Sequence, residues 1–123
     1  MTLSLCLATL LAASAYAGTV TLVNRFNEPV TFAVSQGSVY NPIVLGTVWP
    51  GHKLTVTPNY CPFNSDYHFM AYPASGALVT DCGTPMYPVQ NVKVVAGWSG
   101  TSFGCGLFMG HPMKYCPYHH YYN

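Results

Sequence analysis

Apolar and polar residues alternate along most of this chain, and no long segment carries a helical period. Val20 and Leu22 alternate with polar neighbours over Thr19–Asn24, and Asn27-Glu28-Pro29 then turns the chain. Pro29–Ser35 places Val30, Phe32 and Val34 on one face, the pattern of a half-buried strand. Ile43–Trp49 is apolar and β-branched and is closed by Pro50-Gly51, a strong turn signal. Lys53–Thr57 points Leu54 and Val56 one way and Thr55 and Thr57 the other. After Pro58–Asn64 the strand pattern resumes over Asp66–Tyr72. A short strand is predicted over Ala77–Thr80, ending at Asp81-Cys82.

Val89–Trp98 is the longest candidate, with Val92, Val94, Ala96 and Trp98 on a shared face. Phe103–Met109 reads as a last strand, bent or bulged at its glycines. From His111 onward HPMKYCPYHHYYN has no period and reads as a tail tied by Cys116. Seven or eight short strands separated by turns predict an all-β fold, a small antiparallel β-sandwich.

The first seventeen residues form a different unit. LSLCLATLLAA, Leu3–Ala13, is apolar and uncharged, and Ala15-Tyr16-Ala17 offers small residues where a signal peptidase reads them. This predicts a signal peptide over 1–17, cleavage before Gly18, a β-sandwich domain over 18–110 and a His/Tyr-rich tail over 111–123. The destination is extracellular. No later stretch approaches the ~20 apolar residues of a membrane span.

Secretion changes the meaning of the cysteines. Cys6 leaves with the leader, and Cys61, Cys82, Cys105 and Cys116 remain. An even number in a short exported chain indicates disulfides. Three connectivities are possible; the shorter loops favour Cys61–Cys82 with Cys105–Cys116. Each bridge contributes about 3 kcal/mol, a large share for so small a domain.

The charges are few: Arg25, Lys53, Lys93 and Lys114 against Glu28, Asp66 and Asp81. Such a balance carries no electrostatic footprint for nucleic acid or an anionic membrane. It also leaves little for acid–base catalysis. Asp66 and Asp81 are the only plausible carboxylate pair, since Glu28 sits in a turn before Pro29, and two solubilising surface acids are the simpler account. No G-x-S-x-G elbow occurs, and Cys116, although near His111, His119 and His120, is no nucleophile once oxidised. The chain therefore reads as non-enzymatic.

Two binding chemistries remain. Met109, His111, Met113, Cys116, His119 and His120 fall within twelve residues, and thioether with imidazole suits copper, or zinc through the histidines. The alternative is a His- and Tyr-rich tail with incidental metal affinity. His52 after the turn and His68 on a strand face need no ligand to explain them. Tyrosines are the other resource: Tyr60, Tyr67, Tyr72 and Tyr87, with four more near the C-terminus, combine an apolar ring with a polar tip. They suit stacking on sugar rings or an extracellular protein partner, or simply the covering of a sheet.

VTLVNRFNEPVTFAV followed by LGTVWPGHKLTV resembles the opening of thaumatin-like proteins. There a first strand ends in Asn, a second follows, and a Pro-Gly or Gly-rich turn leads to a third. The matching residues are Val20, Leu22, Asn24, Pro29, Val30, Phe32, Gly46, Pro50 and Gly51, less than a third of the chain. Small secreted fungal relatives of that fold and plant self-incompatibility-like secreted proteins share the rhythm. Phe26 stands where that family carries a cysteine, and three acids supply no counterpart of its acidic glucan cleft. The resemblance implies a β-sandwich and a secreted defence or host-interaction role, without glucan hydrolysis. The leading expectation is thus a secreted binding protein, an effector or defence protein, with extracellular copper or zinc binding by the tail as the alternative.

Overall fold

The computed structural model describes residues 18–37, 42–57, 63–76 and 79–110. Alternation becomes eight strands: β1 (Thr19–Asn24), β2 (Val30–Gln36), β3 (Ile43–Val48), β4 (Lys53–Val56), β5 (Tyr67–Pro73), β6 (Thr80–Gly83), β7 (Asn91–Ser99) and β8 (Ser102–Met109). No helix forms among the described residues. The strands make two four-stranded sheets, a first of order β4-β1-β7-β8 and a second of order β3-β2-β5-β6.

The period-2 pattern decides which side chains meet. Val20 and Leu22 of β1 and Val92, Val94 and Ala96 of β7 are buried on one face of the first sheet. Val30, Phe32 and Val34 of β2 and Phe69 and Ala71 of β5 are buried on one face of the second, and all ten belong to one hydrophobic cluster. Phe63, from the chain before β5, joins them. It bridges to Val89 by backbone bonds of 2.8 and 2.9 Å, and its ring sits edge-on to Tyr67 and Phe69.

Asn24 is the polar exception in this interior, with no exposure at all. Its Nδ2 donates to the carbonyls of Glu28 and Val48, both at 2.8 Å, and its Oδ1 accepts the Phe26 N–H at 2.8 Å. Its backbone N–H donates to His52 O, and its own carbonyl accepts from Gly51 N. The side chain thereby fastens the end of β1 to the β1–β2 turn and the end of β3, and the backbone of the same residue holds the β3–β4 turn. Gly51 takes φ +79° in that second turn, a left-handed conformation that an L side chain strains to adopt. Gly100, at φ +68°, does the same in the tight hairpin between Ser99 and Ser102.

Several expectations need correction. The first sheet is not wholly antiparallel: β1 and β7 run parallel, in register from Thr19↔Asn91 to Asn24↔Ala96. Of the strand expected over Ala77–Thr80, Ala77 and Leu78 lie outside the described residues, and the observed strand runs over Thr80–Gly83. No bulge interrupts β8, which pairs with β7 continuously from Val92↔Met109 to Ser99↔Ser102. The irregularities fall elsewhere. Phe32 faces Gly46 while Ala33 faces Val44, leaving Leu45 as the extra residue in β3. Phe69 faces Gly83 while Met70 faces Asp81, leaving Cys82 extra in β6. Trp98 has the parity of the buried face but lies beyond the cluster, 54% exposed.

The disulfide also differs from the pairing that loop length favours. Cys82 is bonded to Cys105, with 4.8 Å between Cα atoms, so the bridge joins β6 at the edge of one sheet to β8 at the edge of the other. The expected and observed loops for Cys82 differ by only two residues, a negligible difference in closure entropy. Adjacency of the two edge strands decides the pairing. Cys61 and Cys116 lie outside the described residues, as do the segments 1–17 and 111–123.

Candidate functional site

The face of the first sheet turned away from the buried cluster has an ordered composition. Pairing across the four strands lines up Thr55, Thr21, Lys93 and Phe108 in one row, and Lys53, Val23, Val95 and Gly106 in the next. A third row continues with Arg25, whose backbone N–H donates to Ala96 O, beside Gly97 and Gly104. The hydroxyls of Thr21 and Thr55 meet at 3.5 Å, and Thr19 Oγ1 donates to Asn91 Oδ1 at the far end.

Gly97, Gly104 and Gly106 carry no side chains of their own on this face, so neighbouring side chains can lie close over the strands. Phe108 folds its ring over Gly106, since a Cβ there would lie 3.6 Å from that ring, and Arg25 flanks Gly97. The outcome is an open groove of about 590 Å³ along β7 and β8, lined by these glycines, Val95, Arg25, Phe108 and Trp98. Phe108 is 58% exposed and Trp98 nearly as much, so two large rings face water at the groove. Trp98 is held by its neighbours. Its indole lies 4.5 Å from the Phe26 ring, which meets Phe103 edge-on at 4.8 Å.

The residues singled out from sequence are distributed otherwise. Tyr67 is buried at 1% exposure and belongs to the core, which corrects its expected place on a binding surface. Tyr72 is half-buried on the outer face of the second sheet and donates its hydroxyl to Met70 Sδ at 3.7 Å. Tyr87 packs against the core, and its hydroxyl donates to Gly110 O. The described tyrosines form no common patch, and Tyr60 lies outside the described residues.

Of the metal cluster only Met109 is described. It packs against the core, and its Sδ accepts the Met86 N–H at 3.1 Å. His111, Met113, His119 and His120 lie outside the described residues, as does Cys116. Among the described residues no three of His, Cys, Asp and Glu gather into a metal-holding group.

The three acids lie apart, and two of their carboxylates are occupied. Asp81 Oδ1 lies 2.9 Å from His68 Nε2 and accepts the Gly83 N–H at 2.7 Å. Glu28 Oε1 accepts the Ser75 N–H at 2.6 Å, tying the β1–β2 turn to the β5–β6 turn. Asp66 precedes β5, where its carbonyl accepts the Gly37 N–H.

Sequence reasoning missed Arg25, Lys53, Lys93, Trp98 and Phe108 as a group. Strand parity alone places Lys53 opposite Leu54 and Lys93 opposite Val92 and Val94. That β4, β1 and β7 are neighbours carries no short-range signal.

No protein-family model matches the chain, and no curated protein does. Solved structures do resemble it. A protein from Eubacterium rectale, studied by NMR, aligns with a TM-score of 0.57 at 10% identity, over 80% of this chain and 93% of that one. A second structure, titled "Trapped Toxin", aligns at a TM-score of 0.45 and 10% identity, over 76% of this chain but 23% of its own length. Among the described residues no helix is long and apolar enough to cross a membrane. The chain shares its fold with the Eubacterium rectale protein.

Proposed function

We propose that this chain is a secreted, non-enzymatic binding protein, a host-interaction effector or defence protein. In this reading its two sheets form a small sandwich whose ligand surface is the groove over β7 and β8. The apolar leader before Ala15-Tyr16-Ala17 supports export. The cluster of buried residues drawn from both sheets supports the sandwich.

Trp98 carries the binding reading. Its position in the alternation would suit the core, yet its indole stands half in water, braced by Phe26 and Phe103 beside a glycine-lined groove. Burying a ring of that size gains several kcal/mol at about 25 cal/mol per Å². Held rings that forgo this burial mark places where something else covers them. Among the described residues the groove is lined by no carboxylate and no histidine, which favours binding over acid–base chemistry.

The test uses the purified protein carrying Trp49→Phe, so that Trp98 is its sole tryptophan. A glycan array and a pull-down from extracellular fluid identify ligands, and Trp98 fluorescence reports where they bind. A bound glycan or protein that shifts this emission and is lost on Trp98→Ala is the expected result. Ligands that bind unchanged after Trp98→Ala, or none in either screen, would overturn the reading.

A further inference from the structure

We infer that the ligand is an acidic polysaccharide, a uronate-bearing chain that lies across the outer face of the first sheet; this rests on the binding reading above. The composition hides the reason. Net charge is close to zero, but among the described residues the cations are separated from the acids. Arg25, Lys53 and Lys93 all project from the outer face of β4-β1-β7 and are exposed. The three acids lie elsewhere, with Asp81 on β6, Asp66 before β5 and Glu28 bonded to Ser75. No carboxylate pairs with any of the three cations among the described residues.

Their spacing matters as much as their sign. Two strand separations, about 10 Å, lie between β4 and β7, and Arg25 continues β1 between them. Three single charges that far apart match a polymer whose carboxylates are separated by sugar rings. Duplex nucleic acid, with one charge per ~1.7 Å of axis, would keep most of its charge uncompensated on this face. Between the cations lie the hydroxyls of Thr21 and Thr55, suited to a hydroxyl-rich chain. Phe108 shares the row of Lys93, so a ring can stack on its face while its carboxylate meets the ammonium. Arg25 packs its Cβ over Gly97 and is exposed beyond it, and its planar guanidinium suits a carboxylate.

The experiment titrates polygalacturonate, neutral dextran and a DNA duplex against the Trp49→Phe protein, reading Trp98 emission at low and at physiological salt. Polygalacturonate should bind at least tenfold more tightly than dextran. Its affinity should fall as the Debye length shrinks from ~30 Å at 0.01 M to ~8 Å at 0.15 M salt. The combined change Lys53→Gln with Lys93→Gln should lower that affinity tenfold or more while leaving the melting temperature in place. Arg at both positions should restore it.

Equal affinity for dextran, tighter binding of DNA, or indifference to the glutamine changes would overturn the acidic ligand. In each of those cases a response at Trp98 would leave the binding reading standing. If no glycan or extracellular protein moves Trp98, both readings fall.

Discussion

Asn24→Ala is the substitution whose cost can be worked most directly from the structure. The side chain has no exposure, and it makes three hydrogen bonds of 2.8 Å, two as donor and one as acceptor. Truncation removes all three and leaves the Val48 carbonyl, a buried partner, without its donor. A net value of about 1 kcal/mol per bond, plus about 1–3 kcal/mol for one orphaned carbonyl, gives a loss of about 4–6 kcal/mol. A domain of this size has about 5–15 kcal/mol in total, so the melting temperature should fall by more than about 10 °C.

Asn24→Asp is the sharper variant. It keeps the shape and the acceptor for Phe26 N–H, but sets a carboxylate oxygen against the carbonyls of Glu28 and Val48 in place of two donors. At neutral pH it should be less stable than the alanine variant. Urea unfolding followed by far-ultraviolet circular dichroism measures both, with unchanged m-values confirming that only stability moved. An alanine variant within about 1 kcal/mol of wild type, or an aspartate variant milder than alanine, would refute this role for Asn24.

Other expectations follow the same bookkeeping. Phe32, 1% exposed in the core, should cost about 3–5 kcal/mol on truncation to alanine. Its neighbour Thr31, whose hydroxyl meets Thr47 on the opposite face, should cost about 0.5 kcal/mol; chemical denaturation of the two variants gives the contrast. Equal losses would mean that both faces of β2 are covered. Non-reducing peptide mapping should recover Cys82 linked to Cys105. Replacing both by alanine should lower stability by about 3 kcal/mol, from the 23-residue separation they close. A Cys61–Cys82 peptide would contradict the bridge between β6 and β8.

Period-2 alternation made the strands legible, because each has one face in the core and a single-residue slip would expose it. Hence β1 through β5 begin within one residue of where the pattern places them. Pairing was not legible. Nothing local announces that β1 lies parallel to β7, or that Cys82 at a bulge in β6 meets Cys105 rather than Cys61. The candidate site suffered from the same gap. Tyrosine number drew attention to Tyr67, which the core claims through its ring contact with Phe63. Arg25, Lys53 and Lys93 are unremarkable as a net charge, and become a surface only once three strands stand side by side. Trp98 misled by parity: at the end of β7 the core stops before the alternation does.

Amide chemical-shift mapping during titration with polygalacturonate reads out, residue by residue, which face the ligand covers. Perturbations should concentrate on Thr21, Lys93, Gly97, Gly104, Gly106 and Phe108, with the amides of β2 and β5 left in place. Perturbations centred on the second sheet, or none at ligand concentrations that saturate other polyuronate binders, would contradict binding across the first sheet.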